Sequence, residues 1–122
     1  IEALTMIDMA GKQIIPAVIG YTKSLADTIN AVKAAGCDAS MQIELLKETS
    51  ALLCEMKDAL ASLKQAEAEA SAMTDVREQA FFYKDTIMKI MEQLRAPADK
   101  LEMIVDKELW PFPTYGELMF EV

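Results

Sequence analysis

Apolar side chains recur every three or four residues along nearly the whole chain, a spacing that lines one face of a helix and misaligns on a strand. A first seam runs through Leu4, Ile7, Gly11, Ile14, Val18, Tyr21, Leu25, Thr28 and Val32, with Gly36 placed to close the helix in the left-handed conformation. A second begins after Asp38 or Ser40, either able to cap it, and carries Leu45, Thr49, Leu52, Met56, Ala59, Leu63, Ala66 and Ala70. It fades among Ser71, Ala72 and Met73. Thr74 or Asp75 then caps a third, with Val76, Ala80, Tyr83, Ile87, Ile90, Leu94, Leu101 and Ile104 in register. No alternating run and no Asn-Gly or Asp-Gly turn argues for β structure. The segments, approximately 1–35, 39–71 and 75–108, would each span about 45 Å, and short links make sequential helices antiparallel. The expectation is an all-α fold, an up-down-up bundle of three long helices over 1–108, followed by an extended aromatic and proline-rich tail over 109–122.

Two prolines bear on the rods. Pro16 removes a backbone donor and crowds the carbonyl four residues back, which predicts a kink or break near Gln13; Pro97 predicts a kink or restart near Arg95. Past the third seam, Pro111 and Pro113 bias Trp110 and Phe112 toward extended backbone, so the helix must stop by about Glu108. The aromatic strap that follows must find apolar seats. Trp110 is placed to fold onto the bundle itself, whereas Tyr115 and Phe120 lie far enough along to reach another surface.

The first helix is apolar beyond its seam, with Met6, Met9, Ile15 and Ile19 on other faces, and such a helix expects cover on several sides. The second instead displays Glu48, Glu55, Lys57, Asp58, Lys64, Glu67 and Glu69 to solvent. The residues expected to pack or to meet partners are therefore Met6, Met9, Ile15, Ile19, Trp110, Phe112, Tyr115 and Phe120. Since Ile1-Glu2-Ala3-Leu4 carries neither a starting Met nor a cap, the chain reads as a piece of a longer polypeptide.

A net charge of −8 repels phosphate backbones and anionic lipid, so neither nucleic acid nor a membrane surface is expected as a partner. Asp8, Lys12 and Gln13 interrupt the most apolar stretch well short of the ~20 residues a membrane span needs, and no export signal is visible, which reads as cytoplasmic. Without any His the chain lacks the usual nucleophile pairs and zinc sites, and its four glycines stand too far apart to form a phosphate loop. Cys37 and Cys54, roughly 20 Å apart on helical spacing, read as two reduced thiols. Glu44 and Glu48 lie one turn apart, but without a Glu-x-x-His partner they read as a solvated face. The nine Met residues, Met88 and Met91 among them, invite comparison with peptide-binding surfaces, yet their spread over all three segments reads as core filling. Pro111-Phe112-Pro113 lacks a full PxxP repeat and reads as a strap. No catalytic, cofactor-binding or metal-binding residue is assigned.

Two stretches carry a family resemblance. Ile1-Glu2-Ala3-Leu4-Thr5-Met6-Ile7-Asp8-Met9-Ala10, continued by Lys12-Gln13-Ile14-Ile15-Pro16-Ala17-Val18, resembles the start of the C-terminal region of type III glutamine synthetases. Trp110-Pro111-Phe112-Pro113-Thr114-Tyr115-Gly116-Glu117-Leu118-Met119-Phe120 resembles their end, and Tyr21 to Thr28 and Phe82 to Asp85 are similar to the stretch between. The resemblance implies a parent enzyme that joins ammonia to glutamate with ATP and Mg2+ or Mn2+ in a large double-ring homo-oligomer. It implies a non-catalytic domain with a structural, oligomerisation or regulatory role, whose partners are the enzyme's own catalytic domain and neighbouring subunits, with the metal, ATP and glutamate contacts all in the preceding domain. The competing expectation is a free-standing helical adaptor that binds partner helices through the first segment.

Overall fold

The computed structural model describes residues 2–112, which form three helical rods and, among the described residues, no strand. The first rod is α1 (Glu2–Met9), a π-helical turn (Ala10–Ile14) and α2 (Ile15–Ala34); the second is α3 (Ser40–Ala72), unbroken. The third is α4 (Val76–Phe82), a second π turn (Tyr83–Ile87) and α5 (Met88–Ile104). α3 packs against both α2 and α5, so the one straight rod supplies the surface on which the two interrupted rods lie.

The rod ends follow from local chemistry. Gly36 takes φ +81°, and its N–H donates to the carbonyl of Lys33 (3.0 Å) while that of Cys37 reaches Val32 (3.1 Å). This pair of bonds satisfies carbonyls that the end of α2 would otherwise leave bare. Asp38 accepts from the Ser40 N–H at 3.1 Å and starts α3. Asp75, rather than Thr74, caps α4 by accepting from the N–H groups of Arg77 (2.8 Å) and Glu78 (3.4 Å).

Along α3 the periodic seam is the core seam. Thr49, Leu52, Met56, Ala59, Leu63, Ala66 and Ala70 are all buried, Leu45 is half-buried, and Leu60 widens the stripe. Thr49 is tolerated there because its hydroxyl donates to the Leu45 carbonyl oxygen at 2.8 Å, and among the described residues no buried side-chain nitrogen or oxygen is left unpaired.

The other two seams hold less well: upstream of the π turns Leu4, Val76 and Ala80 are exposed, and in α2 Thr28 is exposed while Ile29 is buried in its place. In the first rod Ala3, Ala10, Val18 and Leu25 form one buried row with steps of seven, eight and seven, flanked by buried Ile14 and Ile29; in the third a row runs from half-buried Gln79 to Ile87, Leu94 and Leu101, with steps of eight, seven and seven. Each step of eight crosses a π turn, which inserts one residue and rotates everything upstream by about 100°. Leu4 and Val76, both expected in the core, are consequently 55% and 79% exposed, and Ala80 is exposed as well. Gln79 takes the inward place at the top of the third rod and donates from Nε2 to the Ala70 carbonyl at 2.8 Å.

The first π turn stands where Pro16 predicts a break: a proline at the start of α2 has no N–H to complete an α turn across the junction. The third rod breaks instead at Tyr83–Ile87, and α5 runs through buried Pro97 without restarting. It also ends at Ile104, earlier than the limit near Glu108. Val105 is extended (φ −69°, ψ 140°), and the Asp106 carboxylate accepts from the Glu108 N–H at 2.9 Å, a local turn that competes with a further helical turn.

Candidate functional site

That turn reverses the chain. The Asp106 carbonyl accepts from the N–H groups of Leu109 (2.9 Å) and Trp110 (3.1 Å), which aims the indole back at the bundle, and Pro111 prevents any resumption of the helix. Trp110 is 8% exposed and joins the main core; Phe112 packs half-buried beside it. Together they wall a groove of about 490 Å3 that α1, α3 and α5 complete. Met6 and Met9 come from α1, Ala10 and Ile14 from the first π turn, Met56 from α3, and Met91 and Leu94 from α5. The inserted residue matters here, because rotation of α1 brings Met6 and Met9 toward the groove and turns Leu4 to solvent.

The charges on this groove are three carboxylates, Glu2, Asp99 and Glu102, and one guanidinium, Arg95. Arg95 lies 3.5 Å from Glu92 through Nη1, an exposed pair one turn apart on α5. The groove is therefore apolar within and acidic around its opening. Nearby, burial and then the negative charge of Asp106 push the Tyr21 phenol above its ordinary pKa. At the far end of the first rod, the hydrogen bonds from the Ser40 side chain and backbone hold Asp38 below the usual carboxylate range.

Four of the residues expected to pack or to meet partners converge on this groove: Met6, Met9, Trp110 and Phe112. Ile15 is half-buried against the core on another face, and Ile19 is 53% exposed. Tyr115 and Phe120 lie outside the described residues. Core filling describes only part of the methionine set: Met56 is fully buried, Met6 and Met91 pack on the core, and Met41, Met88 and Met103 are exposed. Glu44 and Glu48 are solvated, as are Cys37 and Cys54, which are unbridged. Sequence reasoning did not single out Asp99 or Glu102, whose only signal was their place one turn apart near the end of the third seam.

A second, more open concavity lies at the other end of the third rod, between Met73, Arg77, Phe81, Phe82 and Asp85. Phe81 is 71% exposed there, on the outward side that the second π turn creates. Among the described residues no three Asp, Glu, Cys or His side chains are grouped to hold a metal ion, and no helix is long and apolar enough to cross a membrane.

Residues 1–33 match the family model described as the glutamine synthetase C-terminal domain. The chain is 32% identical to a glutamine synthetase of Butyrivibrio fibrisolvens, over 100% of this chain and 18% of that protein. It is 29% identical to a glutamine synthetase of Bacteroides fragilis (strain YCH46), over 98% and 17%. A type-3 glutamine synthetase of Dictyostelium discoideum matches at 25% identity, again over 98% of this chain and 17% of the relative. The chain thus spans less than a fifth of the length of these relatives.

Proposed function

The chain is related along its whole length to the glutamine synthetases, and on that premise we propose that it is the non-catalytic C-terminal domain of a type III glutamate–ammonia ligase. The observation that carries this reading is the span of the match: a single short motif would cover a corner of the chain, whereas these alignments cover 98% or more of it. In this reading the parent makes glutamine from glutamate and ammonia at the expense of ATP with Mg2+ or Mn2+, in the cytoplasm, as a homo-oligomer. The metal, ATP and glutamate contacts are placed in the preceding domain in this reading, and none of the chemistry is assigned to this chain's own side chains.

Its role is structural. The three rods, ordered up, down and up, act as a rigid block that the catalytic domain and neighbouring subunits pack against. Exposed Leu4 and Ile19 on the first rod support this, as does the apolar groove beside α1. Tyr115 and Phe120, outside the described residues, are assigned in this reading to contacts with another subunit or with the catalytic domain. The test is removal of these 122 residues from the full-length enzyme, followed by native mass measurement and a glutamine-forming assay. Loss of the oligomer with activity lost as a consequence is expected; an intact oligomer would sink the structural role. Titration calorimetry of the isolated chain with ATP or Mn2+ should show no heat, and micromolar binding of either would contradict the assignment of that chemistry elsewhere.

A further inference from the structure

We infer that the groove between α1, α5 and Trp110 is a docking site for an amphipathic helix whose apolar stripe is flanked by basic residues. Three observations converge. The first is the lining: half-buried Met6, Met9 and Met91 border one space together with Trp110 and Phe112, over fully buried Met56. Unbranched, polarisable thioethers adapt to differing side chains, and a methionine-rich wall suits the i, i+3, i+7 anchors of a helix better than a rigid small molecule.

The second is charge. Glu2, Asp99 and Glu102 against Arg95 leave the opening with a net charge of about −2, from three carboxylates and one guanidinium, and the whole chain carries −8. Such a field attracts lysines or arginines beside the anchors and repels an acidic helix. The third is shape. The groove is bounded on two sides by helices, and about 490 Å3 of space is room for a few large apolar side chains rather than for a buried extended strand. The first π turn builds this shape, since it supplies Ala10 and Ile14 to the lining and rotates Met6 and Met9 into place. π insertions in helices are frequent at working sites. The inference stands on these features alone and does not depend on the ligase reading.

Trp110 is the chain's one tryptophan, so its emission reports occupancy of the groove directly. The probes are two synthetic amphipathic peptides of about 14 residues with leucine at helical spacing, the remaining positions lysine in one and glutamate in the other. The lysine peptide should shift the emission saturably at micromolar concentration, and the glutamate peptide should not. The pair Asp99→Asn with Glu102→Gln should weaken the lysine peptide at least tenfold, while Glu44→Gln with Glu48→Gln, on the solvent side of α3, should leave it unchanged. Should the groove variant fail to fold, a salt titration of the unaltered chain decides: affinity must fall at least tenfold between roughly 50 and 500 mM salt. Three results overturn the inference: no emission change, equal binding of both peptides, or affinity indifferent to salt or to the groove carboxylates. Emission that changes with chain concentration in the absence of peptide overturns it too, because a second copy then occupies the groove.

Discussion

α3 and the two rods that lie on it carry equally regular apolar spacing, yet only in α3 does that spacing predict which side chains are buried from end to end. From Thr49 to Ala70 every expected seam residue is inside. In the first rod, upstream of Ala10–Ile14, Leu4 yields its place to Ala3, and in the third, upstream of Tyr83–Ile87, Val76 and Ala80 face solvent while Gln79 turns inward, each a shift of one residue. A periodic pattern fixes a face only as far as the helix keeps its pitch; a single inserted residue moves the next stretch onto another face.

The comparison is tested most severely by deletion. Removing Lys64 from α3 takes one residue from a rod with no slack, rotates Leu52 and Met56 against Leu63 and Ala66, and should unfold the domain outright, as read by far-UV circular dichroism. Removing Lys84 should instead turn the second π turn into an α turn and leave a folded protein. Gln79 would lose its bond to Ala70 while Val76 and Ala80 turn inward, so the net cost should stay below about 2 kcal/mol. If the two deletions prove equally harmful, the π turn is not the spare residue it is taken for.

Next in size is Trp110→Ala, which empties the seat built after the third rod. Truncating a buried aromatic costs about 3 to 5 kcal/mol, a large share of a total near 5 to 15, and the denaturant midpoint should fall markedly. Emission typical of a water-exposed indole in the native chain would refute the premise. A smaller contrast pairs Leu63→Ala, at a fully buried position of the straight rod, with Val76→Ala, at an expected but exposed position above the π turn. The first should cost about 2 to 5 kcal/mol and the second less than about 0.5, by urea unfolding. Equal costs would mean that the upstream register is wrong.

The smallest effect belongs to Asp38. Because the folded protein lowers its pKa, the contribution of its hydrogen bonds from Ser40 is present above the unfolded value of about 3.9 and is lost as pH falls through the folded one. The difference in midpoint between the unaltered chain and Asp38→Asn should therefore be largest near neutral pH and shrink toward pH 3. A difference that is constant across that range would show that the carboxylate's charge plays no part.

The candidate groove was legible in pieces. Met6 and Met9 stood out as apolar residues off the seam, and Trp110 and Phe112 as aromatics held extended by prolines, each from its immediate neighbours in the chain. Met91, Asp99 and Glu102 did not, because nothing local distinguishes them from other residues of a helix; they matter only as α5 meets α1 and the turn at Asp106 brings Trp110 back.

By itself the sequence determined the helical class, the three rods, the glycine stop at Gly36 and a start capped by Thr74 or Asp75, because pitch, capping and the left-handed conformation depend on a few consecutive residues. Tertiary packing alone decided where the third rod slips register, that Pro97 stays inside a helix, and that residues from α1, α5 and the turn at Trp110 share one acidic-rimmed groove. Those outcomes are set by which side chains α3 can accept from its two neighbours at once, and that competition has no record in the spacing of any one segment.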